Sequence, residues 1–401
     1  MSNTKRVIYF DNNATTAVAP EVFEAMRPYL TELYGNPSSI HNFGGQVGFA
    51  VEKARAQVAD LLGVRSVDSK GHHSEIIFTS CGTESDNAAL FSAMYTCPKK
   101  NKFIVSKVEH PAILNVAREL ERRGCRIGYI PVDSHGRLDL QRLEEMIDEE
   151  TALVSIMWAN NEIGNIYPVE KIAAMAHKYG ALFHTDAVQA VGKIPIDLDN
   201  SQIDMLSLSG HKLHAPKGVG VLYIRRGQRF RPFMIGGHQE NGRRGGTENV
   251  AGIVAMGQAA AMAKADIGEE NTRVRALRDR LEQGIAAVVP SIRINGDPDH
   301  RLPNTSSISF EFIEGESILM LLDQLGICAS SGSACTTGSL EPSHVLRAMG
   351  LPYTAAHGTI RFSLSRYNTA EEVDFVIEHL PPIIARLRQI SPYWDAKNSG
   401  R

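Results

Sequence analysis

The sequence has few cysteines and lacks any long apolar run. Of its 401 residues only five are cysteines, and no two form a CxxC pair, so neither a disulfide framework nor a structural zinc site is indicated. No run reaches the roughly 18 apolar residues that cross a bilayer. The stretch 1–16 turns polar too soon for a signal peptide. We therefore expect a cytoplasmic protein whose thiols remain available for chemistry.

An excess of charge of either sign is also lacking. The 42 Lys and Arg residues and 45 Asp and Glu residues leave a formal net charge of −3. This balance gives no electrostatic reason to expect nucleic acid or an anionic membrane surface as a partner. Hydrophobic residues make up 43% of the chain and charged residues 22%, which is typical of a folded protein. At this length we expect two domains.

Short β-branched runs alternate with amphipathic segments from about residue 75 onward. The apolar runs predict buried strands over 75–80, 103–107, 126–132, 151–159, 181–186 and 204–209. The segments 111–124 and 168–180 predict helices, because each opens with proline and ends with glycine. This order predicts an α/β fold with a mostly parallel sheet flanked by helices, in which ligands bind at the carboxyl ends of the strands.

The pattern changes after residue 250. Helical patterns precede alternating strands, and a last helix begins at Thr369, where Glu372 completes a capping box. The helices are predicted over 249–264 and 269–289, and the strands over 306–312 and 359–365. We therefore predict a large α/β domain over 15–264 and a smaller α+β domain made of 1–14 and 265–401.

Asp186 ends one predicted strand, and Lys212 closely follows another. A lysine at such a position is most often a solvated loop residue; the alternative is a Schiff-base lysine beside a carbonyl cofactor. A carboxylate at a buried strand end needs a partner. A salt bridge, a metal or the protonated ring nitrogen of pyridoxal phosphate would each serve, and in the last case Gln189 could donate to the ring's phenolate oxygen.

Two further junctions carry candidate ligands. Strand 75–80 leads through Gly82 and Thr83 into a helix whose amides could bind phosphate, although Thr83 could be only an N-cap. His110 precedes a proline-initiated helix and could stack on a flat ring or move protons, or it could simply cap or pack. Each signal is weak alone. A phosphate-type junction, a strand-end Asp and a strand-end Lys in chain order together favour a pyridoxal phosphate site.

Cys335 lies in a segment of Ser, Gly, Thr and Ala, 330–340. Such a segment is usually only a linker, yet it imposes few constraints and could carry a thiol over a long path. On a cysteine substrate with an acidified α-proton, a thiolate there could attack the sulfur, leaving alanine and a persulfide on Cys335. Arg361 is the predicted partner of the substrate carboxylate; a structural ion pair is the alternative, and Arg366 competes by spacing.

A set of motifs spread along the whole chain resembles the cysteine desulfurases, most of all the nitrogen-fixation type called NifS. The motifs are YFDNNATT (9–16), YGNPSSIHNFG (34–44), EIIFTSCGTESDN (75–87), MWANNEIG (157–164), HTDAVQAVGK (184–193), SLSGHKLHAPKGVGVLY (207–223), GGHQENGRRGGTEN (236–249), SSGSACTTGSLEPSHV (330–345) and TIRFSLSRY (359–367). The resemblance implies a fold-type I pyridoxal phosphate enzyme that acts as a homodimer.

The resemblance also implies a role for each matching residue. Lys212 would be the Schiff-base lysine, Cys335 the persulfide-forming nucleophile and a transient iron–sulfur ligand, and His110 the catalytic residue stacked on the ring. The phosphate would be bound by Gly82, Thr83, Ser209 and His211, and Thr247 would reach the phosphate of the partner subunit. Asp186 and Gln189 would contact the ring of the cofactor. Arg361 would contact the substrate, and Asn161 would contact both the substrate and the cofactor.

The function implied is removal of sulfur from L-cysteine, giving L-alanine and sulfur for an iron–sulfur scaffold protein, for nitrogenase maturation. The alternatives are a housekeeping desulfurase, or a selenocysteine lyase or class V aminotransferase on the same fold. The long segment around Cys335, about 328–341, resembles that of relatives with a mobile cysteine. The insert 66–75, with its His72–His73 pair, is interpreted as a surface loop, with metal binding a second choice.

Overall fold

The computed structural model describes residues 7–331 and 342–394. In chain order its strands are β1 (Ile8–Tyr9), β2 (Ile76–Thr79), β3 (Lys102–Ser106), β4 (Arg126–Ile130), β5 (Thr151–Ser155), β6 (Leu182–Asp186), β7 (Met205–Ser209), β8 (Gly220–Ile224), β9 (Ile292–Asn295), β10 (Thr305–Phe310), β11 (Ile327–Cys328), β12 (Ser330–Ser331) and β13 (Thr359–Ser363).

The helices pack around these strands. They are α1 (Pro20–Met26), α2 (Pro28–Thr31), α3 (Asn42–Leu61), α4 (Gly82–Thr96), α5 (Pro111–Arg122), α6 (Leu140–Met146), α7 (Val169–His177), α8 (Val250–Glu269), α9 (Arg275–Val288), α10 (Gly315–Gln324), α11 (His344–Ala348), α12 (Tyr353–His357) and α13 (Ala370–Ile390). A π-helical turn, Glu270–Val274, joins α8 to α9, so the two predicted helices of this region are continuous.

The larger sheet has seven strands in the order β2-β8-β7-β6-β5-β3-β4. Only β8 runs antiparallel, against both β2 and β7, and the other neighbours are parallel. The predicted mostly parallel sheet is therefore confirmed. The strand expected over 151–159 ends at Ser155, because the backbone amide of Met157 turns away to donate to the buried Glu109 carboxylate at 3.0 Å.

Helices cover both faces of this sheet, and the alternation of side chains along β3 shows how. Phe103 and Val105 pack with α4 and α5 on one face, while Ile104 packs with α3, α7 and α8 on the other. Helix α8 lies so close to α3 that a Cβ at Gly257 would come within 2.5 Å of the Ala54 backbone. By length and hydropathy Val250–Val288 could cross a membrane, but α8 packs here as a core helix.

The smaller of the two main sheets has four antiparallel strands in the order β12-β13-β10-β9, and β1 and β11 form a separate parallel pair. Its core also receives Ile8 and Phe10 from the N-terminal segment, together with α9, α10 and α13. The capping box predicted at Thr369 and Glu372 is confirmed. The division at 15–264 stays a prediction, since segments from the C-terminal part, such as Val345 in α11, pack into the core of the larger sheet.

A buried ion pair joins α3 to the loop that precedes α8. Arg55 Nη1 lies 2.7 Å from Glu240 Oε2, both side chains are largely buried, and Glu240 also accepts from the Phe78 amide. Arg55→Ala leaves the Glu240 carboxylate buried without its cation. We expect a loss of roughly 3–5 kcal/mol in the free energy of unfolding, measured by denaturant titration.

The matched control is Lys264→Ala, which removes a cation from the exposed pair between Lys264 and Asp60. An exposed pair contributes only about 0–1 kcal/mol, so this variant should unfold close to the parent. Equal destabilisation by the two substitutions would contradict the conclusion that the ion pair between Arg55 and Glu240 holds this loop against α3.

Candidate active site

A cavity of about 360 Å³ opens at the carboxyl ends of the parallel strands. It brings together most of the residues singled out in the sequence, from segments that are far apart in the chain. These are Gly82, Thr83, His110, Asn161, Asp186, Gln189, Ser209, His211, Lys212 and Arg361. Thr247 is exposed and does not line this cavity, and Cys335 lies outside the described residues.

Lys212 lies in a 3-10 turn, Gly210–Lys212, directly after β7. Its Nζ donates to the backbone carbonyl of Ala14 at 2.6 Å and to that of Asn13. Gln189 Nε2 donates to the same Asn13 carbonyl at 3.0 Å. The N-terminal segment therefore holds both side chains on the wall of the cavity.

The sequence reasoning missed the role of Asn13. Besides its carbonyl, its amide Nδ2 donates to the Asn161 carbonyl at 3.1 Å and to Thr305 Oγ1 at 2.9 Å, so it links residues of both sheets. Two adjacent asparagines directly after an apolar strand, at positions 12–13, were the available signal.

Asp186 and His110 both line the cavity and are close enough for each to affect the pKa of the other. Burial raises the pKa of Asp186, and the nearby His110 and Lys212 only partly oppose this effect. Burial lowers the pKa of His110, against the pull of Asp186, so the imidazole is neutral near pH 7. His110 Nδ1 accepts from the Ala112 amide at 3.2 Å, so this histidine caps α5 and also lines the cavity.

The junction between β2 and α4 is built for an anion. Helix α4 begins at Gly82, and a Cβ there would lie 2.8 Å from Val188 Cγ2, so only glycine fits. The N-cap is Cys81, whose Sγ accepts from the Glu84 amide at 3.4 Å; the alternative that Thr83 is merely the N-cap is wrong. Unpaired amides at a helix N-terminus favour a bound anion.

Ser209 adds a buried hydroxyl to this junction. Its Oγ has no hydrogen-bond partner in the part of the chain that the structure describes, which is unusual for a buried polar atom. His211 lies beside it; burial and the neighbouring Lys212 lower the pKa of His211 to about 4, so its ring is neutral and can donate only one hydrogen bond. An oxyanion at this place would supply the acceptor that the Ser209 hydroxyl lacks.

Glu84 would repel an anion at the start of α4 if its charge were not compensated. Arg244 Nε lies 2.9 Å from Glu84 Oε1, and the Ser80 amide donates to Oε2 at 2.7 Å. Burial works to raise the pKa of Glu84, but these hydrogen bonds outweigh it and the pKa is lowered. The ionised carboxylate is therefore already paired within the fold.

Arg361 lies on β13 and closes the cavity from the smaller sheet. Its Nη2 donates to Asp11 Oδ1 at 2.7 Å and its Nη1 to the Asn161 carbonyl at 2.9 Å. Its Nε is buried without a partner among the described residues. The competing Arg366 pairs with Asp266 and does not line this cavity, so the geometry favours Arg361 as the carboxylate partner.

Asp86 is a second buried carboxyl in the cavity wall that the sequence reasoning missed. Burial and the neighbouring Asp186 raise its pKa well above the ordinary value. His184 Nε2 lies 3.7 Å from Asp86 Oδ1, but burial lowers the pKa of His184 to about 3, so it supplies no positive charge. The spacing of Asp86 from Gly82, one helical turn, could have revealed it.

No group of three His, Cys, Asp or Glu residues within 7–331 and 342–394 could hold a metal ion. The insert 66–75 forms loops and turns, as predicted. His72 lies 3.5 Å from Glu52 and His73 Nδ1 lies 3.0 Å from the Ser66 carbonyl. The second choice for this insert, a metal site, is therefore wrong within the described residues.

Asp86→Asn tests the charge balance of the cavity in the cofactor-free protein. A carboxyl group whose pKa is higher in the folded than in the unfolded state lowers the free energy of unfolding once the pH exceeds its unfolded pKa. The asparagine side chain is neutral at every pH, so the variant does not lose this stability. We expect the melting temperature of the variant to rise relative to that of the parent as the pH increases above about 4, the ordinary pKa of an aspartate. Asp68→Asn is the control, because the pKa of Asp68 is lowered by backbone amides. A difference independent of pH would contradict the assignment.

Comparison with known proteins agrees with this geometry. The sequence profile described as Aminotransferase class-V matches residues 8–376. "Cysteine desulfurase NifS" of Azotobacter vinelandii is 60% identical over 96% of this chain and 95% of its own length.

Two solved structures superpose on most of the chain. A "NIFS-LIKE PROTEIN" has a TM-score of 0.88 at 42% identity, covering 95% of this chain and 100% of its own. A NifS-like protein from Rickettsia africae ESF-5 has a TM-score of 0.84 at 33% identity, with the same coverage. The chain therefore belongs to the class-V aminotransferase family and, within it, to the cysteine desulfurases.

Proposed function

We propose that this protein removes sulfur from L-cysteine with the help of pyridoxal phosphate, forming L-alanine and a persulfide on Cys335. The observation that carries the proposal is the single cavity that unites Lys212, Asp186, the anion junction at Gly82 and Arg361. A strand-end lysine, a buried carboxylate and a phosphate cradle are what this cofactor requires, and a guanidinium is what an amino-acid carboxylate requires.

The residues present fit the cofactor. Gly82, Thr83, Ser209 and His211 would hold its phosphate, and the unpartnered Ser209 hydroxyl would gain an acceptor. Asp186 would gain a cationic partner in the ring nitrogen, Gln189 would meet the ring oxygen, and His110 would stack on the ring. Bound there, pyridoxal phosphate would supply an electron sink that acidifies the α-proton of the substrate.

The protein's own groups then orient the substrate and move its protons. Arg361, fixed by Asp11 and the Asn161 carbonyl, would bind the carboxylate of L-cysteine and thereby set the direction of its Cα–H bond. The Lys212 amine, carried on the turn after β7, would take the proton from Cα. The neutral His110, which also lines the cavity, is available as a second proton carrier.

The sulfur step balances without an external oxidant or reductant. The Cys335 thiolate attacks the substrate sulfur, a new S–S bond forms, and the Cβ–S bond breaks with its electron pair going to carbon. Protonation of Cβ and return of a proton from Lys212 to Cα complete L-alanine, and the enzyme retains the sulfur as a persulfide. A thiolate is required because the thiol is a poor nucleophile.

Exposed apolar side chains support a homodimer. Tyr34, Ile40, Phe49 and Ile235 have exposed fractions of 72%, 104%, 75% and 82%, and Ile235 belongs to the same loop as the exposed Thr247. A contiguous apolar patch marks an interaction surface, and we propose that these side chains are covered together by the partner subunit. In the dimer, Thr247 would reach the phosphate of the partner subunit.

We further propose a cytoplasmic enzyme whose sulfur acceptor is an iron–sulfur scaffold protein, with a role in nitrogenase maturation. The basis is the similarity to "Cysteine desulfurase NifS" of Azotobacter vinelandii over nearly the full length of both chains. In that setting Cys335 would transiently contact iron or cluster sulfur. A housekeeping desulfurase would use the same residues, and a selenocysteine lyase would keep Lys212 and Asp186 without requiring the thiol.

Cys335→Ala tests the nucleophile. The variant should retain the bound cofactor and its visible absorbance, yet form no alanine from L-cysteine. Mass spectrometry of the parent after brief exposure to L-cysteine should show one added sulfur on the Cys335 peptide. Cys125→Ala, which removes a free thiol from the core beside α5, is the control and should behave like the parent. Equal alanine from the Cys335 variant, without an adduct in the parent, would favour the lyase instead.

Arg361→Lys tests carboxylate binding. A lysine keeps the charge but loses the planar pair of donors, and a hydrogen bond to a charged group contributes about 1.5–3 kcal/mol, so KM for L-cysteine should rise by roughly ten- to a hundredfold. Arg366→Lys is the matched control and should leave KM unchanged, because Arg366 pairs with Asp266 outside the cavity. A KM that rises with Arg366→Lys and not with Arg361→Lys would reverse the assignment.

A further inference from the structure

Two side chains that follow the Cys335 segment, those of Ser343 and His344, attach the chain next to the cavity wall. Ser343 Oγ donates a hydrogen bond to the Glu162 carboxylate. His344 Nε2 donates to the backbone carbonyl of Glu109 at 2.9 Å. Both contacts join residues that are distant in sequence, so they fix the start of α11 on the larger sheet.

The two residues that accept these hydrogen bonds, Glu162 and Glu109, are each adjacent in sequence to a residue of the cavity wall. Glu162 directly follows Asn161, whose carbonyl holds Arg361, and Glu109 directly precedes His110. The start of α11 is therefore held one residue away from the cavity wall, by groups that do not line the cavity themselves.

The Glu162 carboxyl is buried and depends on this contact. Its residue is 5% exposed, and burial raises its pKa to about 7, while Ser343 and the charge of Arg361 oppose that rise. A buried carboxyl without a hydrogen-bond partner is strongly unfavourable, so the hydrogen bond from Ser343 stabilises the folded position of Glu162.

The upstream end of the Cys335 segment is fixed on the same wall. Ser330 and Ser331 form β12, and Ser330 pairs with Arg361 in the register of β13. The described residues on either side of the Cys335 segment are thus held near the cavity, Ser330 opposite Arg361 in the sheet and Ser343 on Glu162, the neighbour of Asn161.

We infer that Ser343, held by Glu162, is a positioning residue that fixes the point from which the Cys335 segment reaches the substrate sulfur. This inference rests on the proposed function. Ser343 also has a local structural role, since its Oγ accepts from the Val345 amide at 3.1 Å and caps α11. Glu162 takes no part in that cap, so substitutions at Glu162 separate the two roles.

The test compares two rates in the same holoenzyme. One is the single-turnover formation of persulfide on Cys335 from L-cysteine, and the other is exchange of the α-proton of L-alanine in D₂O, which requires Lys212 but no thiol. Ser343→Ala and Glu162→Leu should slow persulfide formation by roughly ten- to a hundredfold, the range for a misplaced reacting group. Both should leave α-proton exchange unchanged.

Conservative variants should restore the first rate. Ser343→Thr keeps the hydroxyl and Glu162→Gln keeps an oxygen acceptor, so each should form persulfide at close to the parent rate. Amide hydrogen exchange of residues 343–348 can be measured in the absence of the cofactor. Ser343→Ala and Glu162→Leu should both accelerate this exchange. Ser391→Ala, which loses a hydroxyl bound to the Phe312 carbonyl at the end of α13, is the matched control for all three measurements.

Persulfide formation at the parent rate in Ser343→Ala or Glu162→Leu would overturn the inference. An equal fall of both rates would also overturn it, because it would show a general structural role. A parent enzyme that forms no persulfide at all would instead overturn the proposed function, so the two failures are distinguishable.

Discussion

The site depends on the segment that follows β1, because this short stretch pairs buried polar groups of both sheets at once. Asn13 accepts from Lys212 and Gln189 and donates to Asn161 and Thr305, while Asn12 Nδ2 donates to the Ser363 carbonyl at 2.9 Å. Buried amides and carbonyls are strongly unfavourable when unpaired, so these bonds form together or not at all. The relative position of the two cavity walls follows from that requirement.

Three buried acids lie in the cavity wall or next to it, since Asp86 and Asp186 line the cavity and Glu109 directly precedes His110. Asp86, Asp186 and Glu109 are all buried and all have raised pKa values, that of Glu109 rising to about 8 because of burial. Buried carboxyls of this kind weaken the apoprotein, because a buried charge without a partner is unfavourable. A cationic ligand would offset part of this cost, because a positive ring nitrogen would lie beside Asp186. The same residues that weaken the apoprotein therefore favour cofactor binding.

Sequence reasoning located the strands, the capping box at Thr369 and the strand-end residues, because those signals are local. It missed Asn13, whose partner Asn161 is 148 positions away, since no local pattern reports which backbone carbonyls a fold will bring to an amide. It considered Thr83 as the helix cap where Cys81 performs that role, because a sulfur acceptor is a rare cap. Helical spacing from Gly82 could have revealed Asp86, but the raised pKa of Asp86 depends on burial, which only the packed structure determines.

The turn after β5 connects substrate binding with sulfur transfer. Asn160 Oδ1 accepts from the amides of Glu162 and Ile163 at 2.9 and 3.0 Å, and its Nδ2 donates to the Val108 carbonyl at 3.0 Å. This one amide fixes a turn whose next residue, Asn161, holds Arg361, and whose following residue, Glu162, holds Ser343. A rigid turn can serve both tasks only if the groups it holds keep a constant separation. The buried hydrogen bonds of Asn160 provide that constancy, which a solvent-exposed loop of the same length would lack.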